Sequence, residues 1–537
     1  MAKRVLAIGL DGFEITLAER LVAEGLMPNF AAVGSRGVRY QLEHGADKYS
    51  GLAWEHVSAG RAPSDGARWS AVTFDKEYYT ARQESTSSRP FFADLPLRSV
   101  VFDLPYCDLS AAPSVTGITN WGAHDPGVGA ASRPDGLHLE IAQRFGRYPA
   151  AEWIYGFTWP SVERTVRSSA ALTKAVHVRA EAARWLLAER LPDWDLGIVV
   201  VSETHSAIEP LWHGVNDQHP LHVLPSAKPA GEGLLAVYKA VDDLIGTLTL
   251  AFPDAVVVLF AMHGMGTNEA DVSTMVLLPE LLHRHAFGRP HMRAGQWPAQ
   301  LPDGTPLVSE SDTWEEAVSR VVPLVSEPAR SGFRRWRDRL TGRHSVSRYV
   351  PDEDLGAMSW MPATRYRPFW SQMAVFALPS FYDARIRLNL RGREAAGMVE
   401  SSQYRSTLEA TGQLLRDCRD TISGREIVAD IQMHEGDPAL VGPSEADMTV
   451  IWRGTSLGMD HPRLGRIGPV PWRRTGGHTG EHGFLYVAGW AARPCDAGVA
   501  SSFDVVPTLI SLAGAQRPEW LSGRVLPALS SAMDGGT

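Results

Sequence analysis

Cysteine is scarce: Cys107, Cys418 and Cys495 are the three in 537 residues. They lie far apart and form no Cys-x-x-Cys pair, which excludes a disulfide framework. An excess of basic charge is absent too. Lys and Arg number 52 against 61 Asp and Glu, a net charge of −9, so nothing marks a nucleic-acid polymer as partner. Long apolar runs are missing: the longest, Leu196–Val201 and Ala255–Ala261, have the length of buried strands. A membrane helix needs about 20 apolar residues. Met1-Ala2-Lys3-Arg4 leads directly into a strand-like run, with no signal-peptide core between. These absences make a cytoplasmic protein without membrane contact the expectation. The richness in Ala, Arg and Gly points to a GC-rich, bacterial source.

What is present is an α/β pattern. The run from Arg4 to Leu10 is apolar and ends in Asp11-Gly12, as a parallel strand entering a loop does. Ile15, Leu17, Leu21, Val22 and Leu26 then recur at helical spacing up to Met27-Pro28. Ser99–Leu104, Leu196–Val201 and Ala255–Ala261 repeat the buried-strand signature, each after a helix-like stretch such as Ala170–Leu191. Alternation of this kind predicts a central, mostly parallel sheet flanked by helices. Ligands of such sheets bind outside the carboxyl ends of the strands. Asp11, Ser202–His205 and Met262-His263 all fall just past such ends. Between about Leu282 and Met373 the pattern breaks and Arg, Trp, Pro and Ser rise, as in 333–339. We expect a core of residues 1–281 and 374–537 carrying an inserted cap, 282–373.

Several residues have the chemistry of a hydrolytic metal site. Ester hydrolysis at phosphorus needs charge neutralisation, a nucleophile and a stabilised leaving group, and metal ions supply these. Carboxylates and imidazoles suit zinc or manganese. His205 and Glu209 share a face if their segment is helical. His478 follows two glycines, which let backbone approach a ligand closely. Singly, each has a bland alternative: a strand-end turn for Asp11, a loop serine for Ser50, a solvated helix face for His205 and Glu209, a hydrogen-bonded histidine for His263.

Taken in order, the segments resemble the type I phosphodiesterase/nucleotide pyrophosphatase family of the alkaline phosphatase superfamily. Val5–Gly12 and the following Gly25-Leu26-Met27-Pro28-Asn29 resemble its opening. Ser50-Gly51-Leu52-Ala53-Trp54, continuing to Ala59-Gly60, is similar to its nucleophile segment; Asp65 stands where a histidine is usual. Glu203–His213 resembles its Asp-x-x-x-His metal segment, and Ala261–Met265 its Ser-Asp-His-Gly-Met segment. Arg385–Glu394, Gly476-Gly477-His478 and Phe503–Thr508 resemble later blocks. The resemblance implies an alkaline-phosphatase-like sandwich and a metal-dependent hydrolase of phosphoric esters. It implies Ser50 as nucleophile, His205, Glu209 and His478 around one metal, and Asp11, Ser50, Met262 and His263 around a second. Trp54, His124, His213 and His482 are the expected substrate-contacting or ligand-orienting residues.

Two departures matter. At the first site carboxylate and imidazole have exchanged places, leaving two histidines and one carboxylate. At the second, Met262 replaces a carboxylate, and a thioether is a poor ligand for a hard or borderline cation. Met262 is otherwise read as core filler, with Glu203 approaching the metals instead. One or two divalent ions are therefore expected, zinc by ligand type, with manganese or iron as options. The substrate class is a small-molecule phosphate or sulfate ester. Two further readings remain: a mononuclear metal enzyme of specialised metabolism on the same fold, and a non-catalytic relative that binds an anion.

Overall fold

The computed structural model describes residues 4–45, 51–86, 88–155, 161–324, 358–490 and 493–530. Among these, nine strands form the main sheet. Their order is Cys495–Ser501, Val38–Glu43, Gly483–Ala488, Val256–Ala261, Val5–Leu10, Leu196–Val201, Ser99–Phe102, Val115–Thr119 and Ala131–Arg133. The five from Val256–Ala261 to Val115–Thr119 run parallel. Antiparallel neighbours then flank them on both sides. The apolar runs read as strands are thus the middle of the sheet.

Side-chain alternation explains why these runs are apolar throughout. Successive strand residues point to opposite faces, and here both faces are covered. Leu6, Ile8 and Leu10 enter one core, with Leu172, Val176, Leu234 and Val241 from the long helices Val162–Trp185 and Ala227–Ala251. Val5 and Ala7 enter the other, with Trp54 and Val57 from Ala53–Ala59 and Leu509 from Val505–Leu512. The first long helix begins at Val162, earlier than its Ala-rich portion suggests. The Ser161 hydroxyl caps it by accepting from the Arg164 N–H at 3.3 Å.

A second, smaller antiparallel sheet has the order Val375–Leu378, Ala384–Leu388, Met448–Trp452, Val428–Met433. Its core contains Ile386, Met448 and Val450 together with Trp314, Tyr366 and Trp370, and also Leu278, Phe74 and Tyr79. Described residues of the segment expected as an insertion, such as Trp314, Tyr366 and Trp370, share this core with residues up to Trp472. Residues 325–357, including the Arg-rich 333–339 stretch, lie outside the described residues, as does Ser50. Cys107, Cys418 and Cys495 are all free. No described helix is long and apolar enough to cross a membrane.

Candidate metal centre

Four loops at the carboxyl ends of the parallel strands build the site. Asp11 follows Val5–Leu10, helix Glu203–Leu211 follows Leu196–Val201, His263 follows Val256–Ala261, and His124-Asp125 follow Val115–Thr119. Gly12 has φ +60°, and a Cβ there would stand 2.5 Å from the His205 Cα. The first loop and the helix can approach this closely only because residue 12 is glycine.

The helix places His205 and Glu209 on one face. His205 Nε2 lies 3.5 Å from Glu209 Oε1, and His124 Nε2 lies 3.6 Å from Glu209 Oε2. The His124 and His205 rings stack with centroids 3.8 Å apart. One ligand atom from each of the three residues falls within 4.8 Å of the others, and all three side chains are buried.

Hydrogen bonding fixes which ring nitrogens carry protons. The Ser206 hydroxyl donates to the Ile154 carbonyl at 2.6 Å, so it accepts from His124 Nδ1 at 3.2 Å. His205 Nδ1 donates to Asp11 Oδ2 at 3.2 Å. Burial opposes ionisation of Asp11, but His205, Trp54 and His263 outweigh it and hold the carboxyl below its usual range. Both Nε2 atoms face the Glu209 carboxylate. His205 Nε2 and Glu209 Oε2 have no hydrogen-bond partner. Lone pairs facing a carboxylate in a buried place repel unless a cation stands between them. Burial, with His205 and Arg474 adding to it, keeps His124 neutral far below the usual histidine range, the state a ligand needs. The donor set thus fits a divalent ion.

Beyond it is a cavity of about 20 Å³, whose walls include Asp11, Trp54, Asp125, His263, Tyr382 and His478. It is the size of one water molecule or ion. His263 and His478 arrive from two neighbouring segments, because Gly264–Thr267 pairs antiparallel with Gly476–Gly480. The His478 ring stands 4.6 Å from that of His263, 4.8 Å from that of His205 and 3.8 Å from that of Tyr382. Its Nδ1 has no partner. Burial, then His263 and His205, depress its proton affinity well below normal. Burial and the Asp11 charge raise Asp125, which His205 partly offsets. A second cavity of about 100 Å³ continues outward past Tyr382 and His478 to Asn268, Glu269, Asp271 and Trp452.

The structure brings Asp11, Trp54, His205, Glu209, His263 and His478 together. His124 lies beside His205 and Glu209, and His478, expected with them, stands with its ring 4.8 Å from that of His205 and close to those of His263 and Tyr382. Met262 continues the alternation of Val256, Val258 and Phe260 and ends in the apolar core. Glu203 does not replace it, since Arg179 binds both of its oxygens at 2.9–3.1 Å. His213 is turned away, pairing with the Ser226 hydroxyl at 3.1 Å, and burial beside His222 takes it down to about 4. His482 is partly buried near Glu14, outside both cavity linings. Asp65 accepts from the Ser522 hydroxyl.

Asp125, Tyr382 and Arg474 were not expected as site residues. Asp125 had a signal, a polar loop after an apolar segment, but Tyr382 had none. Arg474 stands directly before Thr475-Gly476-Gly477 and donates to Glu209 Oε1. Burial lowers it to about 10, so it stays charged near neutral pH.

Behind the ligands Arg179 is fully buried and donates to Asp103, Glu203 and the Val200 carbonyl. Asp103 in turn accepts from the Trp121 and Gly122 N–H groups at 2.8 Å. One guanidinium thereby anchors both the loop that carries His124 and the helix that carries His205.

No family model and no curated protein sequence matches the chain. Solved structures do. The wild-type alkaline phosphatase PafA matches over 98% of this chain and 99% of its own, at 11% identity and TM-score 0.51. A phosphonoacetate hydrolase from Sinorhizobium meliloti 1021, in complex with phosphonoformate, covers 95% and 96% at 14% identity and TM-score 0.47. Human ectonucleotide pyrophosphatase/phosphodiesterase 5 covers 96% of both chains at 10% identity and TM-score 0.44. The match to PafA extends over almost the whole of both chains, and it shows that this protein shares the fold of that alkaline phosphatase.

Proposed function

We propose that the protein is a metal-dependent hydrolase of small phosphoric esters, with its principal cation held by His124, His205 and Glu209. The observation that carries this reading is the set of three buried ligand atoms within 4.8 Å of one another, of which His205 Nε2 and Glu209 Oε2 have no hydrogen-bond partner. A bound divalent ion supplies charge neutralisation at the transferring group. Ser206 and Asp11 fix the ring tautomers that leave both Nε2 atoms free. Trp54, Tyr382, His263 and His478 are among the residues that line the cavity.

Ser50 is the proposed nucleophile. It directly precedes Gly51, which lines the cavity. Its oxygen bonds to phosphorus as the ester oxygen departs, and water then cleaves the phosphoserine. Ser50→Ala is expected to abolish ester turnover while metal content stays at the wild-type level. His205→Ala is expected to lose the metal and turnover together. Wild-type turnover in Ser50→Ala would remove the serine mechanism, and unchanged metal content in His205→Ala would remove the site.

One observation favours a second reading. The cluster has two imidazoles and one carboxylate, and the residue expected to complete another site, Met262, lies in the core. A mononuclear centre of specialised metabolism has this ligand set, including iron centres with open positions. Elemental analysis separates the two: one equivalent of iron favours the mononuclear reading, two equivalents of zinc the two-metal hydrolase.

A further inference from the structure

Buried arginines in this molecule normally spend their donors on protein. Arg179 bonds Asp103, Glu203 and a backbone carbonyl. Arg393 bonds Glu394, Asp447 and two carbonyls. Arg473 and Arg474 spend fewer: Arg473 bonds Asp271 at 2.6 Å and lies 4.4 Å over the Trp360 ring, and among the described residues Glu209 is the one hydrogen-bond acceptor of Arg474. A guanidinium has five N–H donors, so most of them are unspent. Its side chain keeps 12% of its surface exposed, against 2% for Glu209. Part of the side chain is therefore open, with Asp125 and Tyr155 as its other neighbours.

The backbone fixes this position. The Thr475 N–H and hydroxyl both donate to the Glu209 carbonyl, at 2.8 and 3.0 Å. A Cβ on Gly476 would meet the Ile208 carbonyl oxygen at 2.4 Å, so the strand lies hard against the helix. Arg474 is thus held beside the ligand cluster on rigid supports and does not sweep through solvent.

We propose that Arg474 forms an anion-binding subsite at the rim of the His124–His205–Glu209 cluster, its free edge taking oxygens of a tetrahedral phosphate- or sulfate-type group. A planar fork of N–H donors matches two oxygens of such a group at once. A cation held by the three ligands and the Arg474 guanidinium then flank the same anionic group. Only the identity of the ligand as substrate rests on the hydrolase reading, because anion binding is tested without turnover.

The experiment titrates inorganic phosphate, and separately sulfate, into the zinc-loaded full chain by calorimetry. Wild type, Arg474→Met and Arg474→Lys are compared, with zinc per chain measured in each. The expected result is about 10- to 100-fold weaker phosphate binding in Arg474→Met at unchanged zinc content, the range for hydrogen bonds to a charged group. Arg474→Lys should fall between, since an ammonium keeps charge but lacks the fork. Undiminished phosphate binding in Arg474→Met overturns the proposal, and so does absence of phosphate and sulfate binding by wild type. Loss of zinc in Arg474→Met overturns it as well, by making Arg474 a positioning residue for Glu209. If Arg474→Met does not fold, wild-type affinity in Arg474→Lys overturns it. Arginine-dependent phosphate binding without turnover of any ester would sustain the subsite and sink the hydrolase reading.

Discussion

Two buried polar clusters in this molecule are built in opposite ways. Beside the small sheet, each carboxylate oxygen of Asp447 and Glu394 accepts two hydrogen bonds, from Arg387, Arg393, Tyr404 and the Leu388 and Leu390 N–H groups. Beside the main sheet, Glu209 Oε2 and His205 Nε2 accept none. Burial is equally deep in both. A saturated network serves the fold, since removing any member strands a charge. An unsaturated one costs stability unless something from outside completes it.

The largest expected effect tests the saturated side. Arg393→Met leaves Asp447 and Glu394 short of partners, and urea unfolding should show a loss of about 3–5 kcal/mol. Metal content of the folded fraction should not change. Metal loss at full stability would invert the two assignments.

Next is the unsaturated side. Zinc at about 100 times its dissociation constant should raise the stability of metal-free wild type by about 2.7 kcal/mol. In Glu209→Gln the gain should nearly vanish. An equal gain in both proteins would mean that zinc binds elsewhere.

The smallest effect concerns a histidine outside both clusters. His213 stays neutral in the fold until about pH 4, whereas in the unfolded chain it takes a proton near 6.5. Below 6.5 the unfolded state binds more protons, so stability falls as pH drops toward 4, by at most about 1.4 kcal/mol per pH unit for this one group. His213→Gln should flatten the urea midpoint against pH by about one proton. An unaltered slope would mean that His213 is accessible and titrates normally.

Much of the main sheet was legible because its strands are buried on both faces, so unbroken apolar runs such as Leu196–Val201 have one economical reading. His205 and Glu209 were legible as a pair because four residues make one helical turn. The position of Met262 follows from period-two alternation along Val256–Ala261, which fixes its direction once the strand is known. Other features depend on contacts distant in sequence. His124 lies 81 positions before His205, and the two meet because the parallel strands that precede them end at the same edge of the sheet with Ser99–Phe102 between. Tyr382 reaches His478 from the far sheet, and nothing local marks it. Phe74 and Trp370 share a core that local composition does not reveal.

Arg179 has a consequence for anyone who would re-engineer the centre. Its guanidinium is a common anchor for Asp103 and Glu203, and so for the two stretches of chain that deliver His124 and His205. The spacing of those imidazoles is therefore set by a pin inside the sheet, and the loops at the mouth have little leverage over it. On the proposed assignment, metal preference should be retuned by exchanging His124, His205 or Glu209 themselves. Loop grafts around the entrance can then change what enters while the coordination geometry is inherited intact.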